Sequence, residues 1–271
     1  MYLIKNISFL LILGLVLSAS VYGQRRNPAR AADEAFEDRK YVLAIERYKK
    51  AQGKIKKNKA EKDRVSFRLA ECYRLTGNPK GAKAQYKRLY RTGYGKKEPV
   101  IMLYYADIVK SEGFYEEALE YYNLYAEAVP DDPRGPAGAE SIALIEEWLE
   151  YPSKYEVEYL KKINSRQSDF CPTYASDNFN ELIFTSTREG ATGKKTDEWT
   201  DMDFSDLFTT RIDRKGEWAE PVLLDNNEEG VNTEANEGAA VMDSRYSTLY
   251  FTRCPNEDKK VNGCQIYTSR R

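Results

Sequence analysis

No histidine occurs in the 271 residues. That absence removes Ser-His-Asp and Cys-His catalysis, and any His-ligated zinc, from what this chain does by itself. Neither a G-x-S-x-G turn nor a Gly-rich phosphate-binding loop is present. Tyrosines and carboxylates are plentiful, but no paired constellation among them stands out, so no enzyme, no catalytic residue and no cofactor is expected. Cysteine is scarce, at four residues. Long apolar runs are scarcer still: the longest, "NISFLLILGLVL" near the start, falls short of the roughly 20 residues that a helical bilayer span needs. Charge of either sign is not in excess, with Lys+Arg 42 against Asp+Glu 43.

The apolar run belongs to a leader. "MYLIK" carries one Lys, the run follows, and "SASVYG" is small and turn-prone before "QRRN". Residues 1–23 therefore read as a signal peptide cut between Gly23 and Gln24. No Cys follows the run, which argues against a lipid-modified N-terminus. An exported mature chain also disfavours nucleic acid as a partner. The balanced net charge hides an uneven distribution. Residues 24–97 hold 23 Lys/Arg against 8 Asp/Glu, residues 98–151 hold 2 against 13, and residues 152–271 hold 16 against 22. The basic block "KKAQGKIKKNKAEKDR" suits an acidic partner, anionic lipid headgroups or a polyanion, and it equally suits a solvated helix face with a charged turn.

Internal repetition organises the first half. "YVLAIERYKKA", "PKGAKAQYKRLY" and "YEEALEYYNLYA" align on Ala44, Ala82 and Ala118, spaced by 38 and 36 residues, each followed four residues later by Tyr48, Tyr86 or Tyr122. Gly77 and Gly113 fall where two helices must turn. Small residues let antiparallel helices approach, and each Tyr ring fills the groove between successive pairs; the same three tyrosines are candidate partner contacts. Ala70, Tyr73, Gly77, Ala82 and Tyr86, then Ala106, Gly113, Tyr115, Ala118, Tyr122 and Pro130, resemble the small, aromatic and turn positions of the tetratricopeptide repeat. A weaker first unit has Ala32, Tyr41, Ala44, Tyr48 and Ala51. The resemblance implies an α-helical solenoid over residues 24–151 with a concave surface that grips a peptide or helix, and "PAGAESIALIEEWLEY" reads as a helix covering its open end.

After Pro152 the pattern becomes short alternating runs separated by Asp, Asn, Gly and Ser, the mark of strands and hairpins. "KINSRQSDFCPTYASDNFNELIFTSTREG" aligns with "GVNTEANEGAAVMDSRYSTLYFTRCPNE", placing Phe184 and Phe251 67 residues apart, and "DLFTTR" aligns with "QIYTSR". A unit of three strands followed by "GEWAEPVLL" is a four-stranded antiparallel blade. "ELIFTSTREG" and "SDLFTTRIDRKGEWAEPVLL" resemble the PD40 group of WD40-like β-propellers. Helical repeats followed by such blades resemble exported envelope proteins of Bacteroidetes that end in an OmpA-like domain, the nearest being those of type IX secretion and gliding. About one and a half blades fit into residues 152–271 and no OmpA-like domain follows, so the chain is expected to be the N-terminal part of a longer, truncated propeller protein. Val157 and Tyr159, in "KYEVEYLKKINS", stand where an outer strand would close the ring.

Cys254 and Cys264 flank a hairpin loop and are expected to pair, because cross-strand neighbours fall within disulfide reach and an exported protein keeps the bond. Cys72 is expected to pack as a small apolar residue, and Cys171 has no evident partner. The acidic loop "TDEWTDMDFSD" offers Asp197, Glu198, Asp201, Asp203 and Asp206 to Ca²⁺, yet it lacks the mid-loop Gly and spacing of a calcium hand, and a solvated loop is expected. Trp199 in that loop is a candidate partner contact. The expected function is an exported, non-enzymatic scaffold at the periplasmic face of the outer membrane, binding envelope proteins and, through an absent OmpA-like domain, peptidoglycan. The alternative is a periplasmic ligand-binding or sensor module that takes glycan or peptide at the propeller.

Overall fold

The computed structural model describes residues 27–193, 196–197, 199–200, 202–225, 230–254, 256–257, 260–261 and 263–271. The predicted signal peptide, residues 1–23, lies outside them, as do Glu198 and Asp201 of the acidic loop. The chain separates into two compact units that divide between Tyr151 and Pro152.

The first unit is helical: α1 Arg30–Glu37, α2 Tyr41–Lys54, α3 Lys59–Leu75, α4 Pro79–Arg91, α5 Val100–Ser111, α6 Tyr115–Ala128 and α7 Arg134–Glu150, with a 3₁₀ turn at Tyr94–Lys96 before α5. The starts follow capping chemistry. The side chains of Asn58 and Asn78 accept the backbone N–H of Glu61 and Gly81, and Pro79 occupies the first turn of α4, where its missing N–H costs nothing. Gly77 (φ 68°) and Gly113 (φ 84°) supply the left-handed residues that end α3 and α5. The helices therefore pair as hairpins, and the small residues sit at the closest approaches: Ala44, Ala82 and Ala118 are fully buried. Ala32, Ala35, Tyr48, Val65 and Leu69 form one core across α1–α3, and Leu89, Ile101, Tyr105, Val109 and Tyr122 form a second that extends through α3–α7. Each large side chain so buried contributes about 1.5–3 kcal/mol before ordering costs. α7 packs onto α6 through Ala139, Ile142 and Ile145, and Gly138 makes the approach possible: a Cβ there would lie 2.4 Å from the Tyr122 ring.

The second unit holds two antiparallel sheets. The first runs in the order β1 (Asp169–Tyr174), β2 (Glu181–Ser186), β3 (Asp206–Arg211) and β4 (Val222–Leu223). The second is β5 (Asn236–Met242), β6 (Thr248–Cys254) and β9 (Gln265–Arg270), with a small ladder, β7 (Asn256–Glu257) and β8 (Lys260–Val261), between β6 and β9. Phe184 pairs with Phe208 in one sheet and Phe251 with Tyr267 in the other, so the sequence repeat is also a repeat in register. Even the irregularities repeat: β1 and β5 are each bulged, at Cys171 (φ 51°) and Ala239 (φ 49°). β5 lies against β1, β2 and β3, and Ala175, Ile183, Leu207, Val231, Ala240, Leu249 and Phe251 make the core between the sheets.

Both sheets are open and the described residues form no closed ring, as about one and a half blades require, and the two sheets do not by themselves establish a propeller. Two expectations need correction. The proposed closing strand around Val157 and Tyr159 is not a strand in the described residues, and Val157 is 98% exposed, because no sheet edge lies alongside to take its backbone hydrogen bonds. The outer strand expected from "GEWAEPVLL" shrinks to Val222–Leu223, with one further bridge from Trp218 to Ile212, since Gly216 (φ 83°) turns the chain and Pro221 has no N–H for the ladder.

Candidate functional site

The three repeat tyrosines are not a surface. Tyr48, Tyr86 and Tyr122 are each 1% exposed or less, which corrects their candidacy as partner contacts. Each ring lies inside the helical unit and each hydroxyl donates to a carboxylate 15 residues earlier, on the preceding helix: Tyr48 to Asp33 at 2.7 Å, Tyr86 to Glu71, and Tyr122 to Asp107 at 2.6 Å. A buried phenol needs such an acceptor, because an unpaired hydroxyl in a core costs about 1–3 kcal/mol. Burial first, and then the adjacent carboxylate, pushes all three phenols well above the ordinary tyrosine range. Two of the carboxylates are also held by arginine: Arg64 forks onto Asp33 at 2.9 and 3.0 Å, and Arg74 binds Glu71 at 3.1 Å while covering the Tyr104 ring at 4.1 Å. Cys72 is fully buried, and burial pushes its thiol up to about 12, so it packs as an apolar group.

What the helical unit does present outward is on α7. Leu144 and Trp148 are exposed, Trp148 at 64%, together with Leu149 and Tyr151 just beyond. The exposed side chains of Glu140, Glu147 and Glu150 accompany them. The sequence reading assigned this helix only to covering the end of the array. The overlooked signal is a second apolar stripe, Leu144, Trp148 and Tyr151 at i, i+4 and i+7, beside the inward stripe of Ile142 and Ile145. Leu149 continues the inward stripe yet is exposed. The arrangement can bury an apolar face of another polypeptide while its carboxylates meet basic side chains.

In the second unit the repeated sheets carry a repeated arginine clamp. Arg188 binds Asp169 at 2.6 Å and Ser186 at 2.8 Å and stacks over Phe184 and Phe208, 5.0 and 5.1 Å from the ring centres. Arg253 binds Glu237 at 2.7 Å and the Val231 carbonyl at 2.8 Å over Phe251 and Tyr267, at 5.5 and 4.8 Å. Asp169 takes hydrogen bonds from Ser165, as Glu237 does from Thr233. The electrostatics differ. Burial works to raise the Asp169 carboxyl, but the Ser165 N–H, Ser186 and Arg188 together hold it below the ordinary range; at Glu237 burial outweighs its partners and the carboxyl is raised. The open face of the first sheet carries an apolar groove of about 290 Å³, lined by Leu160, Ile163, Phe170, Tyr174, Leu182 and Phe184.

Cys254 and Cys264 are joined as a disulfide between the ends of β6 and β9, and Cys171 is an exposed free thiol. In the acidic loop Asp197 accepts the backbone N–H of Trp199 and Thr200, an Asx turn that spends this carboxylate on the loop itself. Trp199 is 36% exposed. Asp206 is drawn away from the loop and fully buried at the start of β3. Among the described residues no three His, Cys, Asp or Glu side chains converge as a metal site, and no helix is long and apolar enough to cross a membrane.

No family model matches this chain. No curated protein matches it either. Solved structures that it is similar to include the Sgt2 TPR domain from Aspergillus fumigatus, at 15% identity and a TM-score of 0.38, over 48% of this chain and 83% of that one. The P58(IPK) TPR domain is 19% identical with a TM-score of 0.36, over 46% of this chain and 34% of that one. Pseudomonas aeruginosa pilF is 22% identical with a TM-score of 0.36, over 48% of this chain and 64% of that one.

Proposed function

We propose that this protein is an exported scaffold whose helical unit binds another protein. The observation that carries the reading is the outward stripe of α7, where Leu144, Trp148, Leu149 and Tyr151 stand exposed among glutamates. A large aromatic that remains exposed beside aliphatic neighbours is the usual anchor of a protein interface. The flanking carboxylates favour a partner with basic side chains around an apolar strip. The stacked hairpins behind it supply a rigid support, as repeat arrays do.

The setting within this proposal is the periplasmic face of an outer membrane, in an envelope assembly of the type IX secretion or gliding kind. The leader-like residues 1–23, the Cys254–Cys264 disulfide and the PD40-like wording of the strand repeats support it. The repeated clamps and bulges support a propeller, of which the two sheets are neighbouring blades. Peptidoglycan attachment through an OmpA-like region is the furthest part of the reading. The test is photo-crosslinking in cells from position 148, using full-length protein with a photoreactive residue there. A single stoichiometric adduct with an envelope protein, abolished by Leu144→Glu, supports the scaffold. Absence of any adduct, together with saturable binding of a glycan or peptide to the purified chain, overturns it in favour of a ligand-binding module.

A further inference from the structure

The seam between the two sheets joins unlike faces, and each sheet carries on its other side the face that the seam leaves unused. The first sheet packs on Leu249 and Phe251 of the second through Ile183 and Leu207. Side chains alternate across a strand, so Phe184 and Phe208 point to the far side of the first sheet, and Tyr250 and Ile266 to the far side of the second. The sequence repeat makes these far sides a matched set. Tyr250 and Ile266 hold the register positions of Ile183 and Leu207, yet Ile266 is 78% exposed, with Tyr250 and Val241 exposed beside it. Phe184 and Phe208 hold those of Phe251 and Tyr267, and their side of the first sheet carries the apolar groove. The chain therefore displays one face equivalent to the one that accepts a sheet, and one equivalent to the one that is accepted.

A polar contact fixes the seam, and its parts are repeated too. Asn232, ahead of β5, brackets the edge of β3: its Oδ1 accepts the Leu207 N–H at 2.8 Å and its Nδ2 donates to the Leu207 carbonyl at 2.9 Å. Asn164 is its counterpart in the sequence repeat and lines the groove. The Asn164 Nδ2 donates to the Leu160 carbonyl at 3.2 Å, and among the described residues nothing donates to its Oδ1. The counterpart of β3 is β9, which pairs among the described residues with β6 alone, so its other edge is open. The Arg271 N–H bonds the Ser247 carbonyl, which sets the alternation of the ladder. The backbone groups of Ile266 therefore point off the open edge of β9, as those of Leu207 point off β3.

We propose that a second copy of this chain docks on this face, seating the groove side of its first sheet on Val241, Tyr250 and Ile266, with its Asn164 bracketing the Ile266 backbone. The seam within the chain is the template for the contact. A second copy is the occupant because each copy carries both halves in matching register, whereas an unrelated partner would have to reproduce the spacing of Asn164 and the groove. The two faces differ, so the contact is head to tail. Each copy added leaves one face of either kind open, and the assembly grows as a ring or a filament. Neither face includes α7, so this inference stands apart from the partner proposed for that helix.

The test is sedimentation of the purified full-length protein over a range of concentrations. The wild-type sedimentation coefficient should rise with concentration. Ile266→Lys spoils the accepting face at an exposed position, and Tyr174→Lys spoils the accepted one at an exposed position in the groove wall. Each variant alone should sediment as a monomer. An equimolar mixture should give dimers and nothing larger, because Ile266→Lys keeps a sound groove and Tyr174→Lys keeps a sound accepting face. Asn164→Ala should weaken the wild-type association although both apolar faces stay intact. A wild-type protein that is monomeric throughout overturns the proposal, and needs no variant to fold. Association that survives either lysine substitution lies elsewhere on the chain and overturns it as well. So does a mixture that stays monomeric while both variants keep the wild-type circular dichroism.

Discussion

At the scale of residues, the tyrosine–carboxylate pairs make the sharpest statement about stability. Replacing Tyr86 by Phe keeps the ring and removes the hydroxyl that Glu71 accepts, at a cost of about 1.5–3 kcal/mol, the range for hydrogen bonds to charged groups. Urea unfolding followed by helical circular dichroism should show the loss near neutral pH. The gap should then narrow in alkali. The Tyr86 phenol is raised by burial and by Glu71, so its contribution is complete below about pH 10 and is lost as pH rises toward the folded-state value. A wild-type advantage that stays constant into alkali would sink this account. The positions of Ala44, Ala82, Ala118 and their tyrosines were legible in the sequence, because close packing leaves a periodic trace of small and aromatic residues. The carboxylate partners were not. Asp33, Glu71 and Asp107 look like any solvated acid, and their role depends on which rung of the neighbouring helix they face.

At the scale of elements, glycines with different surroundings separate packing from propensity. A Cβ at Gly138 would meet Tyr122 ring atoms at 2.4 Å, so Gly138→Ala must push α7 off α6 or displace the ring, at a cost of about 1–3 kcal/mol. Nothing lies within 4 Å of a Cβ at Gly53, near the end of α2, and Gly53→Ala should be neutral or stabilise by up to about 1 kcal/mol. Thermal midpoints measured side by side check both, and a harmless Gly138→Ala would mean that α7 is free to shift. Helix existence was legible from turns such as Gly77 and Gly113 and from the apolar spacing. The outward stripe of α7 was missed because an end-covering helix and a two-faced helix share their inward residues, and only the surplus of Leu144, Trp148 and Tyr151 distinguishes them. In the strands, paired positions such as Phe184 and Phe251 were legible, whereas the length of β4 was not, since pairing depends on how Gly216 and Pro221 aim the chain.

At the scale of the molecule, the division at Tyr151 and Pro152 has a practical reading. Tyr155, Val157 and Tyr159 are exposed and belong to no element, so limited chymotrypsin digestion should cut first between residues 151 and 160 and leave a helical fragment with its own core. Early cleavage inside α3–α6 instead would show that the helical unit lacks independent stability. The composition change at Pro152 made two architectures legible, helical before and stranded after. Whether the strands close into a ring was not, because closure depends on partners for sheet edges that no single repeat encodes. The tyrosine hydroxyls, finally, act as rulers. Each pair spans 15 residues within a hairpin, while the stretch from one tyrosine to the next carboxylate is 23 residues from Tyr48 to Glu71 and 21 from Tyr86 to Asp107. Length inside a hairpin is thus pinned by a bond that one inserted residue would break, whereas the exposed residues 56–57 and 96–97 between hairpins carry no such bond. Insertions and engineered tags should be tolerated at those two stretches and rejected between each carboxylate and its tyrosine.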